Sequence, residues 1–268
     1  MNILEEQRVS SRVDFSLPEK PDCRTHSVPF AMTKVAFTLA EVLITLGIIG
    51  VVAAITMPAL IAKYQKKVFA NRAKQAYSIL AQAIKLSEVQ NGEAKDWVLG
   101  NNTALENTER FLNQYILPYL NSPKLCGIGG GEAVLKKCGM PVSANGISYF
   151  LTNGSTVSIV VHQISTTIGA ISFMIVDVNG KAGPNIQGKD AFYFVLTTEN
   201  GLVPYGAWTQ PTREQVLDGI NFTVNPGRPE LISCKKSKNE ENENELYRHG
   251  CTLLLMMDGW EIKDDYPW

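Results

Sequence analysis

The strongest constraint in this sequence is a long apolar run at residues 37–62, which contains a single charged residue, Glu41. A helix needs about 20 apolar residues to cross the hydrocarbon core of a bilayer. The run is long enough, and few core helices are apolar on all sides over such a length. We therefore predict a transmembrane helix here, with a buried core helix as the alternative.

Two residues of the run need an explanation. Glu41 places a carboxylate where charged side chains are costly unless they have a partner. It lies near the predicted start of the helix, where the helix dipole also favours a negative charge. Pro58 removes a helical hydrogen bond, so we expect it to bend the helix.

The segment Phe37-Thr38-Leu39-Ala40-Glu41 resembles the N-terminal signature of type IV pilins and of type II secretion pseudopilins. The resemblance implies that a prepilin peptidase cleaves between Ala36 and Phe37 and N-methylates Phe37. It also implies that Glu41, the fifth mature residue, pairs with the N-terminal amine of a neighbouring subunit. Pro58 matches a helix proline of pilins, whereas Ala36 stands where the family usually has glycine.

The chain has four predicted segments, of which the apolar run at residues 37–62 is the second. Residues 1–36 are polar and mixed in charge, as in a leader or cytoplasmic segment, and a start at Met32 would leave an ordinary short leader. Residues 63–90 continue the helix with one apolar stripe and end near Asn91-Gly92. Residues 91–268 form the globular head. The stripe consists of Phe69, Ala73, Ala76, Tyr77, Leu80, Ala83 and Ile84.

From Ile147 onward the apolar pattern changes to the period of two that is typical of strands. We predict strands at 148–152, 156–163, 170–178 and 191–197, the first two joined by an Asn-Gly turn. Sequential strands with short turns favour an antiparallel sheet. The predicted fold class is α+β and pilin-like: a long N-terminal helix, membrane-spanning in its first half, packs on a small antiparallel sheet.

Four cysteines lie in the predicted head, namely Cys126, Cys138, Cys234 and Cys251, and a fifth, Cys23, precedes the cleavage site. An even number in an exported domain indicates two disulfides. Three pairings are open, as are four free thiols. We favour the local pairing, Cys126 with Cys138 and Cys234 with Cys251. Neither pair has the spacing of a zinc site.

Asp177, Asn179 and Asp190 are the candidate metal ligands. Oxygen atoms of Asp and Asn at this spacing, beside a turn glycine and followed by Pro184-Asn185, suit a hard cation such as Ca2+. Some pseudopilins bind calcium in a loop of the head, so the resemblance points the same way. The alternative is a plain tight turn in which these side chains bond the local backbone.

Charge and motifs argue against two other classes of function. The net charge is −1, without the excess of lysine and arginine expected of a protein that binds nucleic acid. The histidines, His26, His162 and His249, are scattered, and the sequence contains no H-E-x-x-H, G-x-S-x-G or C-x-x-C motif. We therefore predict no enzyme activity. An anchored enzyme, as a third class, predicts a cluster of reactive side chains in a pocket of the head, and His162 beside an acid and a nucleophile would support it.

The resemblance implies a subunit of a bacterial type II secretion or type IV pilus-type filament. Such a subunit is a single-pass protein of the inner membrane, with its head in the periplasm or outside the cell. Its partners are the prepilin peptidase and other pilin or pseudopilin subunits. The second interpretation is a membrane-anchored surface binding module that is never cleaved. The sequence does not separate a secretion pseudopilin from a minor or competence pilin.

Overall fold

The computed structural model describes residues 38–99, 104–140, 144–161, 169–225, 228–235 and 248–268. Its contacts divide the chain into two units, residues 1–52 and residues 53–268. The predicted leader, the cleavage site at Ala36 and Phe37, and His162 lie outside the described residues. What is described of the first unit is Thr38 and the first turns of one helix.

Helix α1 runs from Leu39 to Asn91, and Pro58 lies inside it without interrupting it. Its side chains at residues 39–62 are exposed, except for half-buried Ala53. By length and composition, α1 qualifies as a membrane-spanning helix. It ends as predicted, where Gly92 adopts a positive φ of 79°, the left-handed conformation that commonly terminates helices.

The second half of α1 presents a buried stripe of mostly small residues. Their spacing of three and four places them on one helix face, which confirms the predicted stripe. Alanine at four of the seven positions lets neighbouring elements pack close to the helix backbone. The buried residues are Ala70, Ala73, Ala76, Leu80, Ala83, Ile84 and Ser87.

A six-stranded antiparallel sheet follows, with the strands in sequence order β1 to β6. The four predicted strands correspond to β2–β5, and the predicted α+β class is confirmed. The strands are β1 (Lys124–Ile128), β2 (Ile147–Phe150), β3 (Thr156–Val161), β4 (Ala170–Asp177), β5 (Ala191–Thr197) and β6 (Gly201–Pro204).

Helix α1 packs on this sheet through an apolar core. Met174 of β4 lies opposite Ile159 of β3 and Phe194 of β5, and all three are fully buried. The ring of Tyr77 in α1 contacts Phe194, with 5.6 Å between ring centroids. Its hydroxyl donates to the Leu202 carbonyl oxygen at 3.3 Å. Each large buried side chain contributes roughly 1.5–3 kcal/mol, so the helix and the sheet stabilise one another.

The remaining elements are short and lie around the sheet. The sequence did not predict β1, β6, α3, α4, α5 or the β7–β8 hairpin. The helices are α2 (Leu105–Phe111), which continues as a π-helix (Leu112–Ile116) and a 3-10 turn (Leu117–Tyr119), α3 (Glu132–Cys138), α4 (Arg213–Asp218) and α5 (Cys251–Met257). The hairpin strands are β7 (Ile220–Asn225) and β8 (Arg228–Ile232), and further 3-10 turns lie at Ala94–Asp96 and Ala207–Thr209.

Both disulfides have the predicted local pairing. Cys126 of β1 bonds Cys138 at the end of α3, with Cα atoms 5.7 Å apart. Cys234 bonds Cys251 at the start of α5, with Cα atoms 4.6 Å apart. All four cysteines are buried. Short loops closed in this way constrain the unfolded chain, so each disulfide stabilises the head by roughly 3 kcal/mol.

Candidate functional site

The first candidate site is the start of α1, around Glu41. The backbone N–H and the hydroxyl of Thr38 each donate to Glu41 Oε2 at 2.9 Å. The Glu41 N–H donates in return to Thr38 Oγ1 at 3.2 Å. This reciprocal arrangement caps the first turn of the helix. Glu41 therefore has a local partner, and its side chain remains exposed to a further one.

The apolar surface of α1 is the second notable feature of this region. Leu43, Ile44 and Leu46 are each about 60% exposed, and the same holds along the helix to Leu60, which is 69% exposed. Water solvates such a continuous apolar surface poorly, and exposed patches of this kind mark membrane or protein contacts. The charge of Glu41 lies at one end of this surface.

The loop between β4 and β5 brings the predicted metal ligands together. The Asn179 N–H donates to Asp177 Oδ1, and Asn179 Nδ2 donates to Asp190 Oδ2, both at 3.1 Å. Asp190 also accepts the N–H groups of Asn185 at 2.8 Å and of Ile186 at 2.6 Å. These bonds to the local backbone are those expected of the plain-turn alternative.

Buried side-chain oxygen atoms in and beside this loop are not explained by the turn. Among the described residues, Asp177 Oδ2, Asn179 Oδ1 and Asn185 Oδ1 accept no hydrogen bond, and neither does Gln187 Oε1 further along the loop. Buried polar atoms normally have a partner, and leaving one without costs about 1–3 kcal/mol. The sequence-based ligand set did not contain Asn185, although its position after Pro184 in a loop rich in Asp and Asn was a usable signal.

The electrostatics of the loop agree with a missing positive charge. Burial raises the pKa of Asp177 to about 8, and the nearby Asp190 carboxylate adds to the rise. Burial also raises the pKa of Asp190, against the hydrogen bonds from Asn185 and Ile186. Two buried carboxyl groups and two amide oxygens are the donor types that calcium prefers. The residues present therefore fit a hard cation in chemical type.

The described part of the chain contains no group of three or more His, Cys, Asp or Glu side chains arranged to share a metal. Any cation in the β4–β5 loop would therefore depend on amide or carbonyl oxygens in addition to Asp177 and Asp190. Gly139 contacts this loop from outside. It follows the disulfide residue Cys138 and packs on the Gly180 carbonyl, leaving no room for a Cβ atom.

Of the three histidines, only His249 lies in the described residues. Its ring contacts the rings of Tyr193 and Tyr205, with centroids 4.8 Å and 5.2 Å apart. His249 is therefore part of an aromatic cluster at the β5–β6 side of the head.

A groove of about 1010 Å³ is a feature that the sequence did not reveal. One wall is the part of α1 between Ala59 and Asn71, and the other is the segment Trp260–Asp264 after α5. Lys63, Lys66 and Lys67 line the groove from the helix. Their basic charge was visible in the sequence, but the approach of a segment about 200 residues later in the chain was not.

Comparison with protein families matches residues 59–268 to the Family of unknown function (DUF6613). The matched range begins inside α1, after the segment that resembles pilins, and covers the rest of the helix and the whole head. No curated protein and no solved structure matches the chain.

Proposed function

Because the chain belongs to the Family of unknown function (DUF6613), which carries no activity to transfer, we propose its function from its own residues. It is a pilin-like subunit of a bacterial filament of the type II secretion or type IV pilus kind. Its α1 helix anchors it in the inner membrane before assembly, and its head lies in the periplasm or outside the cell. Assembly, not catalysis, is its activity.

The observation that carries this proposal is the contrast between the two halves of α1. Residues 39–62 are apolar and exposed, whereas residues 70–87 bury one stripe against the head. A helix that is apolar on all sides must be covered by lipid or by other helices. A filament subunit uses both covers in turn: lipid before assembly and neighbouring subunits afterwards.

Glu41 has a defined part in this proposal. Its carboxylate lies in the first turn of α1, four residues after Phe37, and is exposed beyond its contacts with Thr38. Cleavage between Ala36 and Phe37 creates a new amine, and Glu41 of one subunit pairs with the Phe37 amine of the next. In a surrounding of low dielectric constant such a pair fixes the axial position of adjacent subunits.

The test of this proposal is the N-terminal residue of the full chain in membranes, measured by mass spectrometry with and without an active prepilin peptidase. We expect an N-methylated Phe37 only when the peptidase is active. A matched pair of variants sharpens the result. Ala36→Gly restores the residue usual in the family and should be cleaved at least as well. Ala36→Leu places a bulky residue at the cut and should block cleavage.

An intact leader in both samples would contradict the proposal and favour the alternative, an uncleaved membrane-anchored binding module. That alternative predicts no co-purification with pilin-type ATPase or platform proteins. The two interpretations share the membrane anchor and differ in processing, so the measurement separates them directly.

We also propose that the β4–β5 loop holds a calcium ion, because the buried atoms Asp177 Oδ2, Asn179 Oδ1 and Asn185 Oδ1 accept no hydrogen bond among the described residues. Asp177, Asn179, Asn185 and Asp190 would hold it. A bound cation would neutralise the two carboxylates and fix the loop beside Gly139. Calcium binding in this loop favours a secretion-type subunit, since the resemblance associates a calcium loop with some pseudopilins.

Calcium is expected to raise the melting temperature of the full chain in detergent at pH about 8. At about 100 times the dissociation constant, the stabilisation is roughly 2.7 kcal/mol. Without calcium, the pKa of Asp177 is higher in the folded chain than in the unfolded chain, so protonation of its carboxylate stabilises the folded state at low pH. This contribution is lost as the pH rises from about 4 towards 8. The calcium effect should therefore be larger at pH 8 than at pH 5.

Asp177→Asn separates the cation site from a plain turn. It removes a buried charge, so in calcium-free buffer at pH about 8 its melting temperature should equal or exceed that of the unmodified chain. It should also lose the calcium response. Asp218→Asn, at an exposed position at the end of α4, is the control and should retain that response. An unmodified chain that melts at the same temperature with calcium and with a chelator would contradict the site.

A further inference from the structure

The groove between α1 and the segment Trp260–Asp264 carries an inference about the membrane surface. Its helix wall begins at Ala59 and Ala62, the last residues of the apolar run, and continues through Lys63, Lys66 and Lys67. The two walls therefore meet where the chain passes from apolar to basic side chains. On a continuous helix this is the point at which a membrane-spanning segment reaches the headgroups.

The positive charges of the three helix lysines are accessible to an anionic ligand. Lys63 and Lys67 are exposed and Lys66 is half-buried. Within the described ranges, none of the three forms an ion pair with an acidic side chain. The opposite wall contributes Glu261, Lys263 and Asp264. Lys263 is engaged, because its Nζ lies 2.6 Å from Asp258 Oδ1. The lining is thus positive on the helix side.

Aromatic side chains flank the lysines. Lys66 Nζ lies 5.9 Å from the centre of the Trp268 ring. The centroids of the Phe69 and Trp268 rings are 5.7 Å apart. Trp260 lines the opposite wall and contacts Tyr77, with ring centroids 5.6 Å apart. Tryptophan and tyrosine concentrate at headgroup level in membrane proteins. The combination of basic and aromatic side chains is therefore one that suits a lipid interface.

The position of these lysines also needs a reason. Basic residues near a membrane helix are favoured on the cytoplasmic side, whereas the proposed topology exports Lys63, Lys66 and Lys67. Long basic side chains at a helix end reach lipid phosphates, which offsets that bias. An open groove of about 1010 Å³ beside them has room for a phospholipid headgroup.

From these observations we propose that the groove binds the headgroup of an anionic phospholipid in the leaflet where α1 leaves the membrane. Lys63, Lys66 and Lys67 bind the phosphate, and Trp260 contacts the glycerol region. This lipid would hold the head at the membrane surface before assembly. The inference rests on the membrane insertion of the proposed function.

The test uses the full chain in neutral detergent, titrated with phosphatidylglycerol while tryptophan fluorescence is recorded. Each basic residue near an anionic surface contributes about fivefold to binding. The variant Lys63→Gln/Lys66→Gln/Lys67→Gln should therefore bind at least about tenfold more weakly. Lys95→Gln/Lys124→Gln/Lys136→Gln is the matched control, since it removes the same charge from exposed positions outside the groove lining. It should bind as the unmodified chain does.

Phosphatidylcholine and inorganic phosphate serve as two further ligands, and neither should reproduce the fluorescence change. Equal phosphatidylglycerol affinity in the groove variant and the unmodified chain would overturn the proposal. So would a groove variant that loses only self-association, because the groove would then be a subunit contact. Insertion into vesicles is measured separately: a chain that fails to insert contradicts the membrane anchor, whereas one that inserts but shows no lipid preference contradicts the groove alone.

Discussion

Replacing Glu41 by alanine is expected to leave the protein inserted in the membrane and cleaved, but to reduce filament assembly at least about tenfold. The physical reason is the cost of leaving the partner charge of Glu41 unpaired. When one member of an ion pair is removed in a surrounding of low dielectric constant, the other charge stays buried without compensation. In the proposed filament that charge is the Phe37 amine of the neighbouring subunit. Filament yield, measured beside membrane content and cleavage, reports the loss.

Two matched variants decide between pairing and capping as the role of Glu41. Thr38→Val removes the hydroxyl that contacts Glu41 Oε2 and leaves the carboxylate in place. It should assemble. Glu41→Gln keeps a side-chain oxygen for the contacts with Thr38 and removes the charge, so it should fail like alanine. Assembly of Glu41→Gln at the normal level would contradict the pairing. Equal failure of Thr38→Val would show that the helix cap is what matters.

Removing the second disulfide is expected to destabilise the head strongly. Cys234 and Cys251 are both buried and close a loop with a sequence separation of 17 residues. In the chain-entropy model such a loop is worth roughly 3 kcal/mol. For a head of this size that corresponds to a fall in melting temperature of roughly 6–12 °C. Thermal unfolding of Cys234→Ala/Cys251→Ala under non-reducing conditions measures it.

Cys23→Ala is the control for this experiment, because Cys23 lies before the proposed cleavage site and outside both disulfides. It should leave the melting temperature unchanged. Reductant added to the unmodified chain should destabilise it more than the double variant, because it also breaks the bond between Cys126 and Cys138. A double variant that melts at the same temperature as the unmodified chain would mean that packing alone holds α5 in place.

The parts of the fold that were predictable depend on local periodicity. The stripe from Ala73 to Ile84 repeats every three and four residues, and β3–β5 are short runs rich in β-branched and aromatic residues, so neighbours along the chain carry the signal. The end of α1 at Asn91 was predictable for the same reason, because Gly92 marks it locally. The disulfides were predictable because both pairings are local.

The parts that were missed depend on contacts between distant residues. β1 was not predicted, because Gly127 lies inside it and Gly129 follows it, and it becomes a strand only by pairing with β2. The buried oxygen of Asn185 depends on how the β4–β5 loop closes over Asp190. The groove depends on residues after 259 returning to α1. None of these arrangements leaves a periodic trace in the sequence.

The link between Cys234 and Cys251 has a consequence for the durability of the head. Peptide bonds between these two residues could be cut by a protease without releasing the C-terminal piece, because the sulfur bridge keeps both ends joined. The retained piece includes α5 and the segment Trp260–Asp264. A nicked head would therefore run as one chain on a non-reducing gel and as two after reduction. Such a head loses backbone continuity and remains one covalently linked molecule.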